Sequence, residues 1–142
     1  MTTYQANEFT TTLPEGLKDK TVHIFSVTED GPSPLSVLVT RDRLQEGETL
    51  DKYVARQTQL LQHRLPLFRV LKKGDAEVDG QPAVQIDYAW QSGEGQMFHR
   101  QVMLFAPAAG VVLILTATAK TRLEPQWEAM FNVFVAGLRL RT

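Results

Sequence analysis

The sequence contains no cysteine, which excludes disulfide bonds and thiolate chemistry. Its three histidines are His23, His63 and His99, and no two of them have the spacing of a metal site. No nucleophile motif and no Gly-rich phosphate loop is present. No apolar run reaches the roughly 18–20 residues that a membrane-spanning helix needs. We therefore expect no metal, no other cofactor and no membrane-embedded segment.

An excess of charge of one sign is also missing. The chain has 15 basic and 16 acidic side chains, a formal net charge of −1, and the two signs are interspersed. A nucleic-acid partner or an anionic membrane surface would call for concentrated positive charge, so neither is expected. The N-terminal sequence MTTYQANEF lacks the basic and apolar regions of a signal peptide, so the expected location is the cytoplasm.

The 142 residues contain two helical patterns among β-type segments. The first helix is predicted over residues 49–65, with Thr49 as the N-cap and Pro66 as the stop. The second starts near Glu124, ends at Gly137, and has Met130 in its apolar stripe. Strand patterns cover residues 4–13, 21–28, 36–43, 68–78, 81–91, 96–106 and 111–119. Residues 1–142 are predicted to form one α+β domain: an antiparallel sheet of about six strands with two main helices.

Gln57 interrupts the apolar stripe of the first predicted helix. It lies one turn after Tyr53 and Val54 and one turn before Leu61. A buried amide costs free energy unless it finds hydrogen-bond partners. The spacing leaves two interpretations open: an amide at the edge of the stripe that reaches water, or a polar group in a binding site.

Catalytic candidates are few. His23 and His99 both lie in the middle of predicted strands, so the fold could bring them together. Asp87 is a charged residue in an apolar strand, and we interpret it as the cross-strand partner of Arg100 rather than as an acid catalyst. An enzyme that uses the two histidines and Asp87 is the alternative from a different class of protein. Isolated strand histidines with a hydrogen bond or solvent access are far more common than catalytic ones, so we interpret His23 and His99 as isolated strand histidines.

Apolar residues occupy both faces of the predicted strands. Two helices of this length can cover one face of a six-stranded sheet, so the other face needs a partner or must be buried by curling of the sheet. The residues expected on such a surface are Val22, Ile24, Leu38, Met97 and Met103. Methionine is common on surfaces that bind varied apolar partners.

Five short segments carry a resemblance to a known family. They are residues 21–25 (TVHIF), 53–57 (YVARQ), 65–68 (LPLF), 87–90 (DYAW) and 100–102 (RQV). In this order and spacing they resemble the Eag chaperones of bacterial type VI secretion, which belong to the DcrB-like group. The resemblance extends over nearly the whole chain and is weakest at residues 29–35 and at the C-terminal end.

The resemblance implies a Mog1/PsbP-like fold, a cytoplasmic homodimer and no enzymatic activity. Such chaperones bind the N-terminal transmembrane segments of a secreted effector, typically a PAAR or Rhs toxin, before it is loaded on the secretion spike. The family's hydrophobic groove positions fall on Val22, Ile24, Leu38, Leu65 and Met97, and its two polar positions fall on Gln57 and Gln101. His99 lies between Met97 and Gln101 on the same strand face. Two further alternatives are a non-catalytic adaptor for a folded partner and a small lipid carrier.

Overall fold

A computed structural model describes residues 2–142. In chain order its elements are β1 (Thr2–Gln5), β2 (Thr10–Leu13), β3 (His23–Ser26), β4 (Ser36–Asp42), α1 (Leu50–Arg64), β5 (Arg69–Val78), β6 (Gln81–Ser92), β7 (Gly95–Ala106), β8 (Val111–Ala119) and α2 (Pro125–Ala136). This confirms the predicted α+β fold with two helices.

Six strands form one antiparallel sheet in the order β3-β4-β8-β7-β6-β5, which confirms the predicted sheet of about six strands. The β5–β6 hairpin turns at Asp79 and Gly80, which both have positive φ, as this dipeptide predicts. The first predicted strand, residues 4–13, is instead split between β1 and β2, which pair only with each other. The second is shorter than predicted: β3 is an edge strand that pairs with β4 alone, and all four of its residues are exposed.

Helix α1 has the predicted ends. The Thr49 side chain accepts a hydrogen bond from the Lys52 backbone N–H, and the chain becomes extended at Leu65. Tyr53 and Val54 are fully buried, and Leu50 and Leu61 pack against the same apolar cluster. The apolar stripe therefore attaches α1 to the sheet, as its spacing predicts.

Helix α2 also begins and ends as predicted, with Pro125 in its first turn and Gly137 as the C-cap. Phe131 is its fully buried residue. Met130 does not lie on the buried stripe as predicted, because its side chain is 48% exposed. One residue advances a helix by about 100°, so the neighbour of a central buried residue turns toward the flank.

The two helices lie on opposite faces of the sheet, so the expectation that both cover one face is wrong. The strand residues that pack with α2 include Val37, Val102, Leu104, Leu115 and Ala117. Those that pack with α1 include Val84, Ile86, Tyr88, Met103 and Val112. Met103, predicted to lie on an open surface, is 2% exposed because it belongs to the cluster under α1.

Candidate functional site

Helix α1 crosses its sheet face diagonally and leaves one corner of that face open. Near its start, the Tyr53 hydroxyl donates to Asp42 Oδ2 at 2.8 Å, at the end of β4. At its other end, Leu65 packs into the cluster that contains Tyr88 of β6. The strands left open beside the helix are therefore β3, the first half of β4 and the second half of β8, together with the first half of β7.

Two cross-strand rows form the floor of this region, which we call the open corner. The first row is Ile24, Leu38, Thr116 and Gln101; the second is Ser26, Ser36, Thr118 and His99. The rows contain aliphatic, hydroxyl and amide groups but no carboxylate, ammonium or guanidinium group. The corner is therefore an uncharged surface with an apolar edge at β3 and β4.

The apolar edge is open to solvent. Ile24 is 66% exposed, and Val22, which directly precedes β3, is 45% exposed. Leu38, opposite Ile24 on β4, is half-buried. Adjacent aliphatic side chains at this exposure are unfavourable in water, and such patches usually mark a binding surface.

His99 is a neutral part of the floor. Its Nε2 accepts a hydrogen bond from Trp90 Nε1 at 2.8 Å, so its other ring nitrogen, Nδ1, carries the proton and donates to Thr118 Oγ1 at 3.0 Å. Burial lowers the pKa of His99 to about 4, so the ring is uncharged at neutral pH. Both nitrogens have partners within the chain, and the imidazole is held flat against Tyr88, with ring centroids 4.8 Å apart.

The two glutamines border the open corner from different elements. Gln101 lies in the first floor row, and its Nε2 donates to Thr116 Oγ1 at 3.3 Å. Gln57 lies on α1, half-buried, with Nε2 3.5 Å from Asp42 Oδ2. The long Gln57 contact is the weaker of the two, because hydrogen bonds weaken with distance.

Of the seven residues predicted for the groove, four lie on strands at this face of the sheet, and Val22 directly precedes β3; the four are Ile24, Leu38, Met97 and Gln101. Met97 is half-buried and faces Trp90 across the β6–β7 pair. Gln57 lies on α1 and Leu65 is the C-cap of that helix, eight residues later, or about 12 Å along a helix. Leu65 packs against the core cluster under α1 and is half-buried.

The hydroxyl groups of the floor were not predicted as site residues. They belong to Ser26, Ser36, Thr116 and Thr118. The signal that could have found them is the alternation of Ser36 with Val37 and of Thr116 and Thr118 with Ala117, since alternate residues share a face. Which face lies beside α1 was not evident from that pattern.

The residues of the alternative catalytic site do not converge. His23 faces the α2 side, opposite Val39, and its Nδ1 lies 3.1 Å from Arg41 Nη1. His99 faces the α1 side, so the expectation that the fold could bring the two histidines together is wrong. Asp87 lies on the α2 side with Arg100, as the cross-strand interpretation predicted, with both N···O distances at 3.0 Å. Within residues 2–142 no group of three His, Cys, Asp or Glu side chains is placed to hold a metal ion, and no helix there could span a membrane.

The structure is thus an α+β domain with an uncharged, partly apolar surface beside a helix. Comparison with known sequences identifies its family. The DcrB family profile matches residues 8–136, and the chain belongs to the DcrB family. It is 30% identical over 138 residues to the protein named effector EagT6 of Pseudomonas aeruginosa strain PAO1, covering 95% of this chain and 96% of that one. The resemblance to the Eag proteins is thereby confirmed.

Two solved structures have a similar fold. A crystal structure of a Pseudomonas aeruginosa protein of unknown function is similar, with a TM-score of 0.82 and 30% identity, over 100% of this chain and 98% of that one. The solution structure of cyanobacterial PsbP (CyanoP) from Synechocystis has a TM-score of 0.58 at 10% identity, over 99% and 92% of the two chains. The second similarity shows the fold alone, and it confirms the predicted PsbP-like architecture.

Proposed function

We propose that this protein is a cytoplasmic chaperone of type VI secretion that binds the N-terminal transmembrane helices of a PAAR or Rhs effector. It shields these helices from water until the effector is loaded on the secretion spike. Membership of the DcrB family and the similarity to a protein named effector EagT6 support a role beside an effector. The observation that carries the proposal is the open corner, with Ile24 exposed at its edge and Gln101 in its floor.

The dimensions of the open corner suit one helix. Neighbouring strands are about 4.8 Å apart, so the three steps from β3 through β4 and β8 to β7 span about 14 Å. An α-helix with its side chains is about 10–12 Å across. A client helix therefore fits beside α1, with the strands as its floor and Gln57 of α1 on its flank.

The energetics favour an apolar client. A transmembrane helix satisfies its own backbone hydrogen bonds, but its apolar side chains are unfavourable in water. Covering on the order of 1,000 Å² of that surface contributes roughly 25 kcal/mol, most of which is offset by the entropy of association and ordering. Val22, Ile24, Leu38, Leu65 and Met97 supply the apolar contacts in this proposal.

The polar residues orient the client. An apolar surface alone does not determine how a helix rotates or slides, because hydrophobic contacts are not directional. The Gln101 Nε2 donates a hydrogen bond to Thr116 Oγ1, and no described residue donates to the side-chain carbonyl oxygen of Gln101. We assign Gln57 and Gln101 the task of bonding polar client side chains or the free backbone groups at client helix ends.

Each open corner accommodates one helix, so a client with several transmembrane helices needs more than one copy. The protein therefore acts as a homodimer whose two corners share one effector. Light scattering at micromolar concentration without client tests this directly: a dimeric mass is expected, and a monomeric mass contradicts it.

The main test is co-expression with an isolated transmembrane segment. The segment should remain in the soluble fraction with the protein and elute with it during gel filtration in buffer without detergent. A non-catalytic adaptor would instead bind the folded part of the effector and leave the isolated segment insoluble. That result would contradict the chaperone proposal.

A further inference from the structure

The edge strand β5 contains a β-bulge beside a cavity. The β5–β6 register shifts between Val70 and Lys72, so Leu71 has no partner on β6. Leu71 and Lys72 both line a cavity of about 320 Å³ on the side of the sheet that faces α2. The bulge leaves Leu71 without a cross-strand partner at the rim of this cavity, next to Lys72.

The acidic groups of this cavity are already paired. Asp87 lies opposite Arg100, and its two oxygens accept from Arg100 Nε and Nη2 at 3.0 Å each. Glu128 of α2 accepts from the same Nη2 at 3.2 Å. The Arg100 guanidinium bonds both carboxylates, so these three groups together carry a net charge of −1.

Two further cations line the cavity, and one of them, Lys72, lies opposite Asp87 in the β5–β6 register. Lys72 and Arg122 are exposed, and neither forms an ion pair with a carboxylate in residues 2–142. The rest of the wall is partly apolar, from Leu71, Phe98 and Leu123. The cavity thus combines an apolar wall with three basic and two acidic groups, a net formal charge of +1, at a volume in the lower part of the range for small-molecule sites.

We propose that this cavity binds an apolar carboxylate: an aliphatic group that ends in a carboxylate. The aliphatic part lies against Leu71, Phe98 and Leu123, and the carboxylate accepts hydrogen bonds from Lys72 and Arg122. Such a ligand has two sources, a free acyl chain or the C-terminal residue of another protein. The cavity lies on the opposite side of the sheet from the open corner, so this inference does not depend on the chaperone proposal.

Isothermal titration with octanoate and with N-acetyl-leucine tests the inference and separates the two sources. Saturable binding of one or both to the full-length protein is expected, and octylammonium, which has the opposite charge, should not bind. In ¹H–¹⁵N spectra the amides of β5, β6 and the first turn of α2 should shift. Removal of two charged donors in a Lys72→Gln/Arg122→Gln variant should weaken binding about tenfold or more.

Matched controls make the outcome decisive. Lys52→Gln/Arg64→Gln removes two exposed charges from α1 and should leave octanoate affinity unchanged. Ile24→Asp, in the open corner, should also leave it unchanged. Absence of saturable binding by both carboxylates overturns the inference. Equal binding of octylammonium, or loss of binding in Ile24→Asp but not in Lys72→Gln/Arg122→Gln, overturns it as well.

Discussion

Gln101 and Thr116 face each other across the β7–β8 pair, and the glutamine Nε2 donates to the threonine Oγ1 at 3.3 Å. The bond holds the amide against the sheet and turns its carbonyl oxygen toward the open corner in our proposal. Gln57 lies on α1, with its Nε2 3.5 Å from Asp42 Oδ2. In our proposal the two amides lie on the floor and on the flank of one client-binding surface, which suits groups that set the rotation of a bound helix.

Replacing both amides should separate binding from stability. Gln57→Ala/Gln101→Ala removes two half-buried groups whose hydrogen bonds are long, so unfolding should become easier by no more than about 1–2 kcal/mol. Retention of an effector transmembrane peptide in a pull-down should fall clearly, because no other amide side chain lies in the two floor rows. A large drop in the thermal midpoint with binding intact would instead make these residues structural.

A charge at the apolar edge should abolish client binding. Ile24→Asp introduces a carboxylate where the client helix is proposed to lie, and desolvating it costs several kcal/mol. Stability should change by less than about 1 kcal/mol, because Ile24 is 66% exposed. The matched control is Val133→Asp on the outer side of α2, where valine is 71% exposed. Co-purification should be lost in the first variant and kept in the second; equal loss in both would argue against a site at the open corner.

Local rules predicted much of this fold. Thr49 as a cap, the stop before Pro66 and the Asp87–Arg100 pair all depend on neighbours in sequence or on a single hairpin register. The turn at residues 93–94, between the paired Ser92 and Gly95, sets that register, because a two-residue hairpin loop aligns its strands unambiguously.

The sequence did not predict which face of the sheet each helix packs against. An apolar stripe shows that a helix packs on a sheet but not on which side, and strands with two apolar faces give no further guidance. Met97 and Met103 share one face of β7, yet only Met103 lies in the core cluster under α1. The two methionines have the same periodicity in the sequence, so only the path of α1 across the sheet distinguishes the half-buried Met97 from the buried Met103.

The Asp87–Arg100 pair should contribute more to stability than the neighbouring contact with Glu128. The Arg100 side chain is 14% exposed, and Asp87→Asn leaves its buried charge with one carboxylate, so unfolding should be easier by about 2 kcal/mol. Glu128 is 45% exposed at its side chain, and Glu128→Gln should cost less than about 0.5 kcal/mol. Urea denaturation of the two variants measures the difference. Equal costs would contradict the ranking of the two contacts.

His99 should make the folded state sensitive to acid. Burial lowers its pKa from 6.5 to about 4, so the unfolded chain takes up a proton between those values while the folded chain stays neutral. Stability should therefore fall as the pH drops from 6.5 and level off below about 4, with a total loss from this group of at most about 3 kcal/mol. Above pH 6.5 both states are neutral and the group adds no pH dependence.

Urea denaturation at about pH 7 and about pH 4.5 measures this loss. In His99→Gln the fall in stability between the two conditions should be smaller than in the original protein, because the glutamine does not titrate. His63→Gln, on the exposed side of α1, should retain the full fall and controls for the loss of a histidine as such. The His99→Gln variant should be less stable than the original protein at neutral pH, since Trp90 and Thr118 lose their hydrogen bonds to the imidazole ring. An unchanged pH dependence in His99→Gln would show that His99 is protonated as readily in the folded state as in the unfolded chain.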